Sequence, residues 1–135
     1  MSEPEHPQEA TGDPILVVDD DLAVRSLFAR VLRGAGYETL EAADGVEALE
    51  LLERHPVVLI VLDSTMPRLD GAGVIRAVRE REATRRVPVI LVSGISELEA
   101  RIEGAGAGAD DYLVKPVDLD TLVARVRAQL HSRAP

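Results

Sequence analysis

Val57-Val58-Leu59-Ile60-Val61-Leu62-Asp63, followed by Ser64-Thr65-Met66-Pro67, is the stretch whose reading decides the fold. Six consecutive apolar residues without alternation describe a strand buried on both faces, as in the interior of a parallel sheet. The run stops on a carboxylate. In an open α/β sheet the carboxyl ends of the strands form the edge where ligands bind, so Asp63 is the first candidate for chemistry.

Upstream, Ile15-Leu16-Val17-Val18 runs into Asp19-Asp20-Asp21 and repeats the pattern of a buried strand ending on acid. From Leu22 the period changes to that of a helix, with Val24, Leu27, Phe28, Val31 and Leu32 on one face and Gly34 or Gly36 at its end. Tyr37 to Ala42 alternates as a half-exposed strand. Asp44-Gly45 opens a second helix, with Val46, Leu49 and Leu52 inward, which His55-Pro56 stops. Downstream of Asp63, Arg68-Leu69-Asp70-Gly71 turns into a third helix through Val74, Ile75 and Val78. Val87-Pro88-Val89-Ile90-Leu91-Val92 is the next buried strand and ends on Ser93-Gly94. A fourth helix is expected from near Ser96, short or mobile because Gly104, Gly106 and Gly108 each cost about 1 kcal/mol against Ala in a helix interior. Tyr112-Leu113-Val114 is the last strand and stops at Lys115-Pro116. Asp118 caps a final helix carrying Leu119, Leu122, Val123, Val126 and Leu130 on one face.

Five alternations of strand and helix predict an α/β fold, a five-stranded parallel sheet covered on both sides. The flavodoxin-like order 2-1-3-4-5 makes strands 1 and 3 neighbours at the switch point, where Asp19, Asp20 and Asp63 converge. The 135 residues read as an acidic, disordered leader over 1–13, one domain over 14–132, and a tail over 133–135. The leader carries Glu3, Glu5, Glu9 and Asp13 and accounts for −4 of the net −9, leaving −5 elsewhere. Without a basic stripe, and with Phe28, Tyr37 and Tyr112 as its aromatics, the chain is expected to make no direct contact with nucleic acid. No apolar stretch approaches a membrane span and the amino terminus is unlike a signal peptide, so a cytoplasmic protein is expected. Cysteine is absent, which removes thiolate chemistry.

Three carboxylates in one cleft repel one another, and a bound or built-in positive charge resolves the repulsion. Mg²⁺ takes oxygen ligands, one or two carboxylates among them, and commonly bridges to a phosphoryl oxygen. Lys115, ending strand 5, brings an ammonium to the same edge; Ser93, ending strand 4, brings a hydroxyl. Together these make a phosphoryl-transfer site. Asp21 reads as a helix cap, Asp70 as a turn residue, and Asp110 and Asp111 as loop residues. Nothing brings His6, His55 and His131 together.

The blocks Ile15–Asp21, Leu62–Pro67 with Asp70-Gly71, Val92-Ser93-Gly94 and Gly108–Pro116 resemble the receiver domain of bacterial two-component response regulators. The similarity covers roughly residues 14 to 132. By position, the resemblance implies that Asp63 accepts the phosphoryl group from a histidine kinase or a small phosphodonor. It makes Asp20 a direct Mg²⁺ ligand, with Asp19 assisting largely through water and the Thr65 carbonyl as a further ligand. Lys115 then pairs with Asp63 and afterwards with its phosphoryl group, Ser93 bonds a phosphoryl oxygen, and Tyr112 turns inward as Ser93 moves. Gly94 stands where alanine is usual.

On this reading the protein promotes its own phosphorylation and slow dephosphorylation without being an enzyme in the ordinary sense. Output is expected through partner binding, or a homodimer of the phosphorylated form, on the face of helix 4, strand 5 and helix 5. By the resemblance Thr65 and Ile95 flank the path of an attacking water; Thr65 lacks the amide or carboxylate that could orient one and Ile95 is apolar, so a long-lived phosphoryl group is expected. A receiver module excised from a hybrid kinase or a longer regulator is the alternative context. A flavodoxin-like nucleotide or flavin binder fits poorly, because three acids follow strand 1 where a phosphate cradle needs N–H groups. A phosphohydrolase would want a general acid close after Asp63, a role Thr65 cannot fill.

Overall fold

Leu59–Asp63 (β3) lies at the centre of the sheet with all five residues buried. It pairs in parallel with Ile15–Val18 (β1) on one side and Val89–Ser93 (β4) on the other. The outer strands are Thr39–Ala42 (β2), paired with β1, and Asp111–Val114 (β5), paired with β4. The order β2-β1-β3-β4-β5, all parallel, is the one the sequence implies. The chain is described from a computed structural model that covers residues 12–96, 99, 102 and 106–132. The expected disordered leader therefore lies almost wholly outside the described residues, as does the tail at 133–135. Much of the expected fourth helix does too, although Glu99, Ile102, Gly106 and Ala107 are helical.

Because both faces of the sheet are covered, successive strand residues divide between two cores. Leu16, Val18, Ile60, Leu62 and Leu91 pack with Ala48 and Leu52 of Gly45–Arg54 (α2) and with Val74, Ile75 and Val78 of Gly71–Glu80 (α3). Ile15, Val17, Leu59, Val61, Ile90, Val92 and Leu113 pack with Phe28 and Leu32 of Leu22–Gly34 (α1) and with Leu122 and Val126 of Leu119–Ser132 (α4). Each of these four helices starts on the aspartate the sequence offers. Asp21 accepts from Ala23 N and Val24 N, Asp44 from Glu47 N, Asp70 from Gly73 N and Asp118 from Thr121 N. Asp70 and Asp21 are thus structural, as expected.

The structure corrects some details. Leu27 does not face the core; it is 43% exposed, because it lies about 100° around the helix from Phe28 and the buried stripe runs through Phe28, Ala29 and Leu32. Val46 is half-buried and the fully inward face of α2 is Gly45, Ala48 and Leu52, with Leu49 half-buried but packed against the core as expected. Strands β3 and β4 begin two residues later than their apolar runs. Val57 and Val58 precede β3, whose first pairing sets Leu59 against Ile15. Tyr37 lies ahead of β2 and is buried rather than half-exposed.

At the amino-terminal edge of the sheet, Arg79 of α3 binds several groups at once. Its guanidinium donates to the carbonyls of Arg85 at 3.0 Å, Val87 at 2.7 Å and Gly108 at 3.1 Å, and pairs with the Asp110 carboxylate at 2.8 Å. That carboxylate also accepts from Val89 N at 2.8 Å. Asp111, expected to be a loop residue, opens β5 and pairs with Arg125 of α4 at 2.8 Å.

Gly71 allows α3 to begin directly under the end of β3. A Cβ there would meet the Asp63 carbonyl oxygen at 2.7 Å and the Ser64 Cα at 2.9 Å, both backbone atoms that cannot rotate away. Gly94, next to Ser93, would meet nothing within 4 Å. Gly71→Ala is expected to lower unfolding stability by about 1–3 kcal/mol, and Gly94→Ala to change it by less than about 0.5 kcal/mol. Urea denaturation of the two variants measures the contrast.

Candidate functional site

Parallel pairing brings the carboxyl ends of β1, β3, β4 and β5 to one edge, and the residues at those ends carry the polar groups. Val18 is opposite Leu62, so Asp19 follows β1 beside Asp63, the last residue of β3. Asp63 is in turn opposite Val92, which places Ser93 one step along, and Ser93 is opposite Val114, which precedes Lys115. One carboxylate oxygen from each of Asp19, Asp20 and Asp63 lies within 4.8 Å of the others. Asp19 and Asp63 are buried and Asp20 is exposed.

The Lys115 ammonium bridges the two buried acids, 3.4 Å from Asp63 Oδ1 and 3.5 Å from Asp19 Oδ2. Burial works to lower the pKa of this lysine, but the charges of Asp63 and Asp19 and its hydrogen bonds to both outweigh burial, and the net shift is upward. Asp63 moves against the usual direction for a carboxylate. Burial first, and the neighbouring Asp19 charge second, raise it to about 6, although Lys115 and the Thr65 N–H favour the ionised form.

The Asp19 carboxylate is turned into the site by Asp21 N, which donates to Oδ1 at 2.9 Å. Asp21 itself is spent on capping α1. Ser93 is 1% exposed, and its hydroxyl accepts from Ile95 N at 3.2 Å. Thr65 and Ile95 are both exposed, on the loops after β3 and β4. Tyr112 is half-buried in β5, opposite Leu91. His55 follows α2 and exposed His131 lies in the last turn of α4, while His6 falls outside the described residues.

Two arrangements around the site are not legible from motif reading. Arg25 donates from Nη1 to the Asp19 carbonyl at 2.8 Å and from Nε to Glu41 Oε1 at 3.1 Å. On the other side, Arg68 in the β3–α3 loop grips the α2 cap Asp44 with both arms of its guanidinium at 2.8–3.0 Å. Arg68 has a positive φ of 71°, a conformation that a side chain disfavours and that this pairing helps to hold. The sequence signal for Arg25 is a basic residue bordering the apolar face of α1, a pattern shared by many surface arginines.

The family model for the response regulator receiver domain matches residues 15–127. The chain belongs to the response regulator receiver family. Receiver domains are signalling phosphoacceptors, and the fold described above is that of this family. The chain is 46% identical over 123 residues to the transcriptional regulatory protein PrrA of Mycobacterium tuberculosis, covering 91% of this chain and 52% of that protein. It is 39% identical over 116 residues to RpaA of Synechocystis, named a DNA-binding dual master transcriptional regulator, covering 86% of this chain and 48% of that one. The chain thus spans about half the length of these relatives. An expectation that excludes nucleic acid is not supported by likeness to such regulators.

Among solved structures, a response regulator from Chloroflexus aurantiacus superposes with a TM-score of 0.84 at 37% identity, covering 88% of this chain and 98% of that chain. The receiver domain of sensor histidine kinase PA1611 from Pseudomonas aeruginosa, with magnesium coordinated in its active-site cleft, superposes at 0.81 with 31% identity over 88% and 98% of the two chains. Among the described residues, no helix is long and apolar enough to cross a membrane.

The raised Asp63 pKa has a signed consequence for metal-free protein. The native state holds a proton on Asp63 up to about pH 6, whereas a free aspartate loses it near 3.8, so this group's contribution to stability falls as pH rises between those values. Asp63→Asn removes the cost of the ionised form. The variant is expected to be more stable than the parent near neutral pH, by on the order of 1–2 kcal/mol once solvent screening is allowed for. The difference should close towards pH 4, and urea denaturation across that range measures it.

Proposed function

We propose that Asp63 accepts a phosphoryl group from the phosphohistidine of a histidine kinase or phosphotransfer protein, or from acetyl phosphate, in a Mg²⁺-dependent reaction. The observation that carries this reading is the bridging of Asp63 and Asp19 by Lys115 beside the exposed Asp20. One nearly buried carboxylate is thus ringed by the charges that phosphoryl transfer uses. An Asp63 oxygen attacks phosphorus, the bond from phosphorus to the donor imidazole or acetate oxygen breaks, and an acyl phosphate forms. There is little covalent chemistry for the protein beyond supplying the nucleophile, so positioning and charge do most of the work.

The donor set fits Mg²⁺. It is all oxygen, and the three carboxylate oxygens lie close enough to share one ion. Asp20 and Asp63 would hold the metal directly, with Asp19 assisting largely through water and the Thr65 carbonyl as a further ligand. The metal, when bound, neutralises charge developing on the phosphoryl oxygens. Lys115 stays with Asp63 and, after transfer, with the phosphoryl group. Ser93 leaves the Ile95 amide to bond a phosphoryl oxygen, and Tyr112 turns inward behind it. Gly94 leaves open space beside this path.

The signal leaves through a surface change that includes β5 and α4, where Tyr112 lies. A downstream effector protein, or a second phosphorylated copy, docks on the face of the fourth predicted helix, β5 and α4. The receiver works in the cytoplasm, either alone or as one part of a longer regulator. In the phosphorylated protein, backbone amide signals are expected to shift more over Asp111–Val114 and α4 than over α2; shifts confined to α2 would refute this route.

Intact-mass measurement after acetyl phosphate treatment should show one added phosphoryl group that needs Mg²⁺ and is lost in Asp63→Asn. A gain that survives the substitution would exclude Asp63. Following the same mass after donor removal tests the lifetime. Exposed Thr65 has no amide or carboxylate to orient water and Ile95 is apolar, so decay over many minutes is expected, shortened in the double variant Thr65→Asn, Ile95→Glu.

A further inference from the structure

We infer that Arg25 is a positioning residue for the acidic site, with Glu41 as the group that keeps its charge from opposing a cation. The inference rests on the reading of Asp19, Asp20 and Asp63 as a Mg²⁺ site. Residues 19–21 are the whole connection between β1 and α1, and two of their three carboxylates are placed in the cluster. Such a short link is steered by its peptide planes. The entry to the link is fixed because Asp19 N donates to the Ala42 carbonyl at 3.2 Å, extending the β1–β2 ladder by one bond. The exit is fixed by the Asp21 cap. The plane between Asp19 and Asp20 remains, and its rotation would swing the Asp20 carboxylate out of the cluster. The carbonyl of that plane is the one Arg25 binds at 2.8 Å.

Arg25 reaches back to this carbonyl because it sits one turn into α1, where its own N–H donates to the Asp21 carbonyl at 2.9 Å. Its side chain is only 14% exposed, and its Nε is held by Glu41 at 3.1 Å. Glu41 lies opposite Val17 in the β1–β2 register. One guanidinium therefore ties β2, the end of β1 and the start of α1, using the fork geometry that a lysine lacks. A bare cation here would weaken metal binding by repulsion. The Glu41 carboxylate offsets that charge locally, so the brace is close to neutral as seen from the site.

This arrangement separates two roles by sign. If Arg25 acted only through its charge, removing it and leaving Glu41 behind would tighten binding of a divalent cation. If it positions the loop, removing it weakens binding, by about the 10–100-fold typical of losing an outer partner of a metal ligand. Mg²⁺ affinity of the full chain is measured by titration calorimetry from metal-free buffer, alongside thermal melting without metal.

Arg25→Met is expected to weaken binding within that range. Arg25→Lys, which keeps the charge but cannot span both acceptors, should weaken it several-fold. Glu41→Gln, which still accepts from Nε but leaves the Arg25 charge without its offset, should weaken it by about threefold, while unchanged affinity in Glu41→Gln would overturn the role given to Glu41. If Arg25→Met does not fold, Arg25→Lys decides by the same criterion. Affinity unchanged or increased in the Arg25 variants overturns the inference, even where melting falls, since that pattern marks a brace for the fold alone. Absence of Mg²⁺ binding by the parent protein would overturn the metal-site reading and the inference with it. Binding by the parent with unaltered Arg25 variants would remove the inference alone.

Discussion

Two carboxylates held side by side at a nearly buried sheet edge are unfavourable on their own, and much of the site's architecture answers that repulsion. The parallel sheet creates the problem by ending β1 and β3 next to each other, each on an acid. Lys115 answers it from β5, three strands away from β1. Its ammonium reaches both acids at 3.4 and 3.5 Å, longer than the tightest ion pairs in the protein. Burial first, and the Asp19 charge second, still raise Asp63 to about 6 despite Lys115. On the function proposed above, a buried pair of acids of this kind is what a divalent cation and a phosphoryl group would stabilise.

Around this edge the polar groups fall into two kinds. Asp19, Asp63, Lys115 and Ser93 come from strand ends, and their places follow from the register of the sheet. Arg25, Glu41, Asp44 and Arg68 come from helix starts, from β2 and from the loop after β3, and they hold the connecting segments. The first group carries the proposed chemistry. The second keeps short loops from relaxing away from a repulsive centre.

That division also explains what could be read from the chain. The apolar runs at Ile15–Val18, Leu59–Leu62 and Val89–Val92, each closing on a polar residue, mark the three inner strands and the candidate site residues at their ends, because burial on both faces and the position of the first charge are local properties. The caps at Asp21, Asp44, Asp70 and Asp118 are local as well. Leu27 was misplaced because a helical period gives the face of α1 but not the width of the stripe that the sheet and α4 cover. Val57 and Val58 are as apolar as the strand they precede, and their exclusion follows from where Ile15 starts on the neighbouring strand. Arg25 with Glu41, and Arg79 with Asp110, join residues 16 and 31 apart in sequence. No period or motif links such pairs before the chain is folded.

Arg79 sits at the opposite edge of the sheet from Asp63, yet it bears on the proposed phosphoacceptor. A strand at the margin of a sheet has a neighbour on one side only, and a slip of one residue would turn each of its side chains to the other face. For β5 such a slip would carry Lys115 away from both acids. The guanidinium of Arg79, by holding Gly108 and Asp110, together with the reciprocal Asp110–Val89 hydrogen bonds, fastens the strand where it enters the sheet. Lys115 lies five residues on from Asp110, roughly 16 Å along an extended chain. The alignment of the ammonium is therefore set from the far end of its own strand, as the free tip of a ruler is set by the hand that clamps its base.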